Sequence, residues 1–261
     1  MKSPKISIIT PTYNSEKTVE RTIQSVIGQN YPYIEYIIID GASTDHTLDI
    51  LKKYSDNIDF LLSEKDKGIS EAFNKGIAHA TGDIIGIINS DDYLLPGAIQ
   101  AIAEQADDST DIYQGNILLE NNCTHFQCRE VPSRHFPVMP FFCHVAHQGM
   151  YVTREAYKRL GTYDTRVRWP MDLEFLMRAD RMGARMKHIN QDIAVFCTGG
   201  FTSSNITQKK QDYLYIVRKN GGSTLQAYTF YYYLYWTQQM KKVLRLFGKD
   251  FSQKMRYGNK T

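Results

Sequence analysis

The sequence predicts an α/β protein whose central sheet is mostly parallel and carries helices on its faces. In residues 1–95, short apolar runs alternate regularly with amphipathic stretches, and the runs end in polar loops. Runs of consecutive apolar residues are typical of strands that are covered on both faces. Strands that alternate with helices at such short spacing favour parallel pairing, with the helices packed on the sheet.

Four strands and three helices are expected in this region. The apolar runs predict strands over 6–9, 36–39, 58–62 and 84–88. Pro11 is expected to end the first strand, because it cannot donate to a ladder. Ser15 is expected to cap the first helix. The apolar face of that helix carries Val19, Ile23, Val26 and Ile27. Two more helices are expected over 44–54 and 69–80.

Beyond residue 95 the alternation is weaker. The patterns predict a strand over 112–119, a hairpin arm over 124–131, a loop over 132–147 that covers the cleft, helices over 153–160 and 172–182, and a last helical region that breaks near Gly221-Gly222 and runs to 247. We expect one domain over 1–222, with halves at 1–95 and 96–222, and a helical extension over 223–261.

The composition fits an ordinary folded chain and excludes several classes. Of the 261 residues, 42% are hydrophobic and 23% are charged, which excludes disordered and collagen-like chains. A formal net charge of +3 gives no argument for a nucleic-acid partner. The sequence has no run of about 18 apolar residues and no leader-like stretch after Met1-Lys2. We therefore expect a cytoplasmic protein without a spanning helix.

The cysteines allow two interpretations. Disulfides are rare in cytoplasmic proteins, so buried thiols are expected at Cys123, Cys128, Cys143 and Cys197. The alternative is a structural zinc site that includes the neighbouring His125, His144 and His147. The segment 123–128 lacks the paired CxxC that is typical of such sites.

The loops that follow the four strands form the candidate site, because ligands of open parallel sheets bind beyond the carboxyl ends of the strands. The loop after the fourth strand reads Asn89-Ser90-Asp91-Asp92. Two adjacent carboxylates repel each other unless a cation or a proton compensates. Mg²⁺ typically takes one or two carboxylates plus substrate phosphates, so this loop is a candidate for metal and diphosphate binding. The alternative is a helix N-cap.

The loop after the second strand, Asp40-Gly41-Ala42-Ser43-Thr44-Asp45, also has two interpretations. A turn followed by an N-cap would account for its Gly, Ser and Asp residues without a ligand. As a binding loop, it would place the Asp40 carboxylate where it can accept a hydrogen bond from the N–H of a nucleobase. Taken alone, the residues slightly favour the turn.

In combination these motifs resemble family 2 of the inverting glycosyltransferases, which have the GT-A fold. The resemblance spans roughly residues 4–200. It rests on Ile8-Ile9-Thr10-Pro11-Thr12-Tyr13-Asn14, on the loop 40–45, on Gly68-Ile69-Ser70-Glu71-Ala72-Phe73-Asn74-Lys75-Gly76-Ile77, and on Ala80-Thr81-Gly82-Asp83 followed by the loop 89–92. Four motifs in this order and at these spacings are highly specific.

The resemblance implies a GT-A type α/β/α sandwich and a nucleotide-diphosphate-sugar donor, most often a UDP-sugar, bound by residues 1–95. Carried over by position, donor binding falls to Thr10, Pro11, Tyr13, Asp40, Asp66, Asn89 and Asp91. Asp91 and Asp92 would hold a divalent metal, Mn²⁺ or Mg²⁺. The chain departs from the family's Asp-x-Asp pattern at Asn89, which brings no charge.

The resemblance also implies an acceptor-binding half over 96–222. An inverting transfer needs a carboxylate that takes the proton from the acceptor hydroxyl. Asp172 aligns with the family's catalytic Asp, Met171 replaces the usual Glu, and Glu174 is the alternative base. Further segments that resemble the family suggest contacts to the acceptor or the diphosphate at His147, Gln148, Gly199 and Gly200.

The segment 225–248 has a composition of its own. Five aromatic residues, Tyr228, Tyr231, Tyr232, Tyr235 and Trp236, precede the basic residues Lys241, Lys242 and Arg245. Aromatic rings suit a membrane interface and basic residues attract anionic lipid, so this segment is a candidate for peripheral membrane contact. The alternative is that the aromatic residues cover the core or a partner in a homodimer.

We therefore expect an enzyme that moves a sugar from a nucleotide-sugar to a saccharide or lipid-linked saccharide, as in the assembly of bacterial envelope polysaccharides. One alternative is a non-catalytic homologue that binds a nucleotide-sugar, which Asn89 and Met171 favour. A sugar nucleotidyltransferase is disfavoured because the loop 10–14 is neither glycine-rich nor basic. A Rossmann dehydrogenase is disfavoured because no GxGxxG follows the first strand.

Overall fold

The computed structural model describes residues 3–121, 127–132, 146–168, 170–198 and 206–246. The chain forms two compact units, Met1–Ser203 and Ser204–Thr261. In the described residues, the first unit contains the strands and the second contains two helices. The divisions at residues 95 and 222 that the sequence suggests stay predictions.

The first part of the chain has the expected order of strands and helices. Its elements are β1 (Ile6–Thr12), α1 (Val19–Ile27), β2 (Ile34–Asp40), α2 (Thr47–Lys53), β3 (Phe60–Ser63), α3 (Ile69–His79) and β4 (Ile84–Ile87). The rest of the first unit contains β5 (Tyr93–Leu94), α4 (Ala98–Gln105), β6 (Ile112–Asn121), β7 (Gln127–Glu130), β8 (Met150–Thr153), α5 (Arg154–Leu160), α6 (Met171–Arg181) and β9 (Met186–Thr198). Of these later elements, the sequence patterns predicted β6, β7, α5 and α6.

The nine strands of the described residues form one sheet. Their order is β3-β2-β1-β4-β8-β6-β9-β5, and β7 pairs with β6. Six strands run in one direction, because β1 to β4 pair in parallel, β8 is antiparallel to both β4 and β6, and β9 is parallel to β6. The expected fold class, α/β with a mostly parallel central sheet, is confirmed.

The order of the strands creates a switch point beside β1. Strands β2 and β3 extend the sheet on one side of β1, whereas β4 pairs on the other side. In open sheets, the crevice at such a switch point is the usual ligand site. The parallel register places Thr12 beside Asp40 and Asp40 beside Ser63, so the carboxyl ends of three strands form one edge.

Two expectations about the end of β1 and the start of α1 are wrong. Strand β1 continues through Pro11 to Thr12. Proline is tolerated there because β4 pairs only with Ile6–Ile9, so β1 has no β4 partner at Pro11. Helix α1 begins at Val19 rather than directly after Ser15, whose hydroxyl bonds the Ser90 hydroxyl at 2.8 Å instead of capping the helix.

Two glycines permit close packing around the sheet. A Cβ on Gly76 of α3 would lie 2.4 Å from Cγ2 of Ile9, so this glycine lets the helix approach β1. A Cβ on Gly86 of β4 would lie 2.4 Å from Cε1 of Tyr151 on β8. Both partner side chains are fully buried. A larger residue at either position would push apart elements that carry the candidate site.

The second unit consists of α7 (Ile206–Lys219) and α8 (Thr224–Leu246). The expected break near Gly221-Gly222 is confirmed, and Gly221 has a φ of +87°, which favours glycine. Among the described residues, no helix has both the length and the apolar character that crossing a bilayer requires.

Replacing Gly86 by Ala should lower the free energy of unfolding by about 1–3 kcal/mol, because the new methyl group overlaps the Tyr151 ring. Denaturant titration measures this change. Gln100 on α4 is exposed, and its replacement by Ala is the control, with an expected change below about 0.5 kcal/mol. An unchanged stability of Gly86→Ala would contradict the close contact between β4 and β8.

Candidate functional site

The polar loops that follow β1, β2, β3 and β4 meet at the carboxyl edge of the sheet. Direct contacts join the loops after β3, β2, β1 and β4 in that order. The loop after β4 contacts the short helical turn His147–Gly149, which in turn contacts α6. The expected convergence of the acidic strand-end loops is therefore present. It brings residues from both parts of the first unit into one site.

The outer rim of the site is formed by Tyr13, Gly41 and Asp66. A Cβ on Gly41 would lie 2.8 Å from Oδ2 of Asp66 and 3.4 Å from Cδ2 of Tyr13, so these two side chains meet over the glycine. The Tyr13 ring is 60% exposed. The rim thus offers an accessible aromatic face beside a carboxylate, a combination that suits the stacking and hydrogen bonding of a nucleobase.

The loops after β1 and β2 are tied together in an uncommon backbone conformation. Asn14 and Ala42 have φ angles of 48° and 62°, in the left-handed region. The backbone N–H of Asn14 donates to the Ser43 hydroxyl at 2.8 Å, and the Thr44 N–H donates to the Asn14 side-chain oxygen at 2.8 Å. Residues with such conformations cluster at functional sites, where the surrounding bonds hold them in place.

Asp40 and Thr10 lie below the surface of this site. Asp40 is fully buried, and its carboxylate accepts hydrogen bonds from the backbone and hydroxyl of Ser43 and from the hydroxyl of Ser63. The Thr10 hydroxyl lies 3.1 Å from the Tyr36 hydroxyl in the interior. Pro11 is also buried. In this conformation Asp40 fixes the loop after β2, and its direct contact with a base stays a prediction.

Helix α1 supports the loop after β4. The Thr22 hydroxyl donates to the backbone oxygen of Asp92 at 2.6 Å. The Arg21 guanidinium donates to the backbone oxygen of Asp91 at 2.7 Å and lies 4.6 Å from the centre of the Tyr93 ring. This places a positive charge beside the Asp91 carboxylate. The sequence gives no sign of it, because Arg21 lies on a helix remote in sequence.

The Asp92 carboxylate is a hub between three segments of the first unit. It is fully buried. One oxygen accepts the backbone N–H of Cys197 on β9 at 2.9 Å. The other accepts the side-chain amide of Gln148 at 2.7 Å and that of Asn89 at 3.3 Å. In this conformation Asp92 orients Gln148, and its contact with a metal stays a prediction.

Burial and mutual repulsion disfavour the ionised forms of the adjacent Asp91 and Asp92. Burial, together with the charge of Asp91, raises the pKa of Asp92 to about 7. Burial also raises the pKa of Asp91, although the charges of His147 and Arg21 act in the opposite direction. A cation close to these groups would favour their ionised forms, as the sequence pattern suggests.

The buried His147 pairs with the half-buried Asp172. Nδ1 of His147 lies 3.0 Å from Oδ2 of Asp172. Burial lowers the pKa of the imidazole, but the charge of Asp172, its hydrogen bond and the charges of Asp92 and Asp91 outweigh this effect, so the pKa lies above its ordinary value. The sequence indicates each residue separately but gives no sign that they are partners.

Helix α3 holds His147 and Asp172 in position. The Phe73 ring packs edge-on against the His147 ring, with centroids 5.2 Å apart. The Asn74 amide bonds both the N–H and the carbonyl of Tyr163, at 2.9 and 2.8 Å, and the Ser70 hydroxyl donates to the Val167 carbonyl at 3.3 Å. The motif on α3 therefore holds the segment that leads into α6 and Asp172.

Glu174 has a different environment from Asp172. It is fully buried, and its two carboxylate oxygens accept bonds from Nε and Nη2 of Arg178 at 3.1 and 3.0 Å. Arg178 also donates to the backbone oxygens of Leu160 and Thr162. Glu174 thus belongs to an ion pair that fastens the loop after α5, so the geometry favours Asp172 as the base.

Where the loop after β4 meets His147, Gln148 and Asp172, four buried polar atoms have no hydrogen-bond partner among the described residues. They are Oδ1 of Asn89, Nε2 of His147, Oε1 of Gln148 and Oδ1 of Asp172. Buried polar groups are normally hydrogen-bonded, so a cluster of unpartnered atoms needs an explanation. A polar ligand that enters this cluster would supply the missing partners.

The residues present fit a divalent cation with few protein ligands. Among the described residues, no group of three or more His, Cys, Asp or Glu side chains could hold a metal ion by itself. The Asp91 carboxylate and the unpartnered Asn89 oxygen are nevertheless the hard oxygen donors that Mg²⁺ and Mn²⁺ prefer. Such a site would be completed by the phosphates of a substrate.

Several residues named in the sequence analysis lie outside the described residues. They are Cys123, His125, Cys143, His144, Gly199 and Gly200. The expected loop over 132–147 is described only at its two ends. Cys197 is buried as expected, whereas Cys128 is only half-buried, so the expectation of a buried thiol is wrong there. Neither forms a disulfide with another described residue.

The loops of the candidate site lie in a segment that matches a known protein family. Residues 7–130, which include the loops after β1 to β4, match the family model of Glycosyl transferase family 2. The chain is similar to this family over that segment. It is 32% identical over 121 residues to the GalNAc(5)-diNAcBac-PP-undecaprenol beta-1,3-glucosyltransferase of Campylobacter jejuni, an alignment that covers 45% of this chain and 39% of that protein. The alignments to the first four curated relatives cover 36–39% of their length.

Two solved transferase structures share the fold of this chain. The S. aureus TarS fragment 1–349 in complex with UDP-GlcNAc superposes with a TM-score of 0.65 at 19% identity, over 85% of this chain and 69% of that one. The mannosyltransferase PcManGT of Pyrobaculum calidifontis, in complex with GDP-Man and Mn²⁺, superposes with a TM-score of 0.60 at 20% identity, over 83% and 64%. The expected GT-A type fold is confirmed.

Replacing Asp92 by Asn should reduce the dependence of stability on pH. Because the pKa of Asp92 is about 7 in the folded state and ordinary in the unfolded chain, its contribution to stability is greatest below about pH 4 and is lost as the pH rises to about 7. The variant should therefore lose stability less steeply over this range. Its new amide can still accept the Cys197 N–H.

Unfolding free energies between pH 4 and pH 8, measured with a chelator present, test this expectation. The exposed Asp56, replaced by Asn, is the matched control and should keep the slope of the unaltered protein. Parallel slopes for all three proteins would contradict a raised pKa at Asp92.

Proposed function

We propose that this protein is an inverting glycosyltransferase that moves a sugar from a nucleotide-diphosphate-sugar to a hydroxyl of a saccharide. The observation that carries the proposal is the cluster of four unpartnered buried polar atoms beside Asp91, where the loop after β4 meets His147, Gln148 and Asp172. A metal, a diphosphate and an acceptor hydroxyl are groups that such a cluster can satisfy.

The nucleoside would bind at the rim formed by Tyr13, Gly41 and Asp66. The exposed Tyr13 ring offers a stacking face, and the Asp66 carboxylate beside it can accept a hydrogen bond from a base or ribose. UDP is the nucleotide that the family resemblance favours, and the TarS complex contains UDP-GlcNAc. The buried Asp40 would support this rim by holding the loop after β2.

The diphosphate would lie beside Asp91, next to the switch point. Asp91 and Asn89 would supply oxygen donors for a divalent cation, and the PcManGT complex contains Mn²⁺. When bound, the cation would neutralise the charge that develops on the leaving diphosphate. The Arg21 guanidinium, held over the Tyr93 ring, would add positive charge on the α1 side of the same loop.

Asp172 would act as the general base. His147 would donate its Nδ1–H to Oδ2, which leaves Oδ1 of Asp172 to accept the proton of the acceptor hydroxyl. As the acceptor oxygen forms its bond to the anomeric carbon, the bond to the diphosphate oxygen breaks on the opposite face. His147 would also hold the Asp172 carboxylate in the correct orientation, a positioning role like that of the third residue in a hydrolytic triad.

The acceptor is proposed to be a saccharide that is carried on a lipid. The Campylobacter jejuni relative is named for an undecaprenol-linked acceptor, and the sequence resembles enzymes of envelope polysaccharide assembly. An enzyme with such an acceptor has to work at a membrane surface, and residues 225–248 have the composition for that contact. A homodimer stays a prediction of the sequence analysis.

Replacing Asp172 by Asn should lower the rate of sugar transfer by at least about 100-fold, because the amide cannot take the acceptor proton. Binding of the nucleotide should be unchanged. The measurement is release of nucleoside diphosphate from a panel of nucleotide-sugars, with saccharide acceptors present. Asp180 lies on the same helix, and its replacement by Asn is the control that should keep full activity.

Two results would contradict this role. Full activity of Asp172→Asn would assign the base to another residue. Binding of nucleotide-sugars without transfer by the unaltered protein, across the whole donor and acceptor panel, would favour the non-catalytic homologue.

Replacing Asp91 by Asn should remove the metal-dependent part of nucleotide binding. UDP with Mn²⁺ should raise the melting temperature of the unaltered protein more than UDP with a chelator, because a ligand that binds only the folded state stabilises it. In the variant the two melting temperatures should coincide. The exposed Asp108, replaced by Asn, is the control. An undiminished Mn²⁺ effect in Asp91→Asn would place the cation elsewhere.

A further inference from the structure

The two units of the chain carry opposite net charges. Residues 204–261 contain eleven Lys and Arg but two Asp and Glu, a formal net charge of +9. Residues 1–203 contain 20 basic and 26 acidic residues, a formal net charge of −6. The small charge of the whole chain therefore conceals a strongly basic second unit. Such asymmetry indicates a partner surface that is itself anionic.

Helix α8 presents an exposed apolar stripe. Its members recur at intervals of three or four residues, which places them on one face of a helix. The stripe consists of Leu225, Tyr228, Tyr232, Trp236 and Met240. Their exposed fractions range from 36% at Tyr228 to 76% at Leu225, and Tyr233 beside them is 47% exposed. Large apolar side chains on one exposed face are a mark of an interaction surface.

The stripe is rich in the residues that favour the boundary between lipid and water. Three of its five members are Tyr or Trp, whose rings combine an apolar body with a polar group. The rings are ordered against each other: Tyr228 and Tyr232 stack with centroids 6.4 Å apart, and Tyr235 packs edge-on against Trp236 at 5.8 Å. The surface is therefore preorganised as a row of aromatic rings.

Basic residues accompany the stripe. Nζ of Lys210 on α7 lies 5.1 Å from the centre of the Tyr228 ring and 5.6 Å from that of Tyr231. Lys241, Lys242 and Arg245 follow in the last turns of α8, and α8 contains no acidic residue. Each basic residue close to an anionic membrane adds attraction that salt weakens.

We propose that α8 docks in the plane of an anionic lipid surface through the stripe Leu225, Tyr228, Tyr232, Trp236 and Met240. A helix of this composition lies on a membrane, with its apolar side chains between the headgroups and its basic residues beside lipid phosphates. The charge of the second unit disfavours pairing of α8 with α8 of a second copy, because two units of net charge +9 repel each other. The proposal does not depend on the transfer reaction, because lipid binding requires no donor.

Flotation of the full chain with lipid vesicles tests the proposal. Vesicles of phosphatidylcholine with phosphatidylglycerol should carry the protein, whereas vesicles of phosphatidylcholine alone should carry at least about tenfold less, and about 0.5 M salt should release most of it. Trp236→Ser combined with Tyr232→Ser should reduce binding to the anionic vesicles by at least about tenfold. Tyr33 is an exposed aromatic residue of the first unit, and Tyr33→Ser is the control that should bind fully.

Tryptophan fluorescence locates the contact. The chain has two tryptophans, so a Trp169→Phe background leaves Trp236 as the reporter. Its emission should shift to shorter wavelength on anionic vesicles and be quenched by lipids with a bromine on the acyl chain. Absence of vesicle binding, equal binding to neutral vesicles, or dimerisation that the stripe variants abolish in the absence of lipid would overturn the proposal. UDP-induced stabilisation, measured in the same variants, separates its failure from failure of the proposed function.

Discussion

The candidate site depends on one buried carboxylate. Asp92 accepts bonds from β9, from the turn at Gln148 and from its own loop, while Thr22 of α1 holds its backbone. It therefore joins the parallel part of the sheet to the part that carries His147 and Asp172. Removing one of these partners would leave a buried polar or charged group without a hydrogen bond, which costs free energy. The bonds of Asp92 therefore favour one arrangement of the three segments. The same burial keeps its pKa near 7.

The motif on α3 has a structural role that its resemblance to the family does not explain. Phe73 supports the His147 ring, and Asn74 and Ser70 hold the backbone between α5 and α6. Gly76 lets the helix carrying these residues lie close to β1. The motif thus connects the loops that would bind the donor with the segment that would bind the acceptor. Its residues position the site without lining it.

The sequence predicted the alternating first part of the fold and the loops of the site, because short apolar runs and turn residues are local signals. It did not predict β8 or β9, whose pairing with β4 and β6 depends on partners remote in sequence. For the same reason it could not link His147 to Asp172 or Arg21 to Asp91. Burial was the other gap, since Asp40 and Glu174 look like surface carboxylates until the fold encloses them.

The left-handed backbones of Asn14 and Ala42 have a consequence for affinity. These conformations are strained for residues with a side chain, and the cross-loop bonds through Ser43 and Thr44 hold them without any ligand. The conformational entropy of these two loops is therefore lost when the chain folds. It is not lost again when a nucleotide binds. A rim that is rigid in advance should discriminate between bases by fit, since it cannot rearrange around the wrong one.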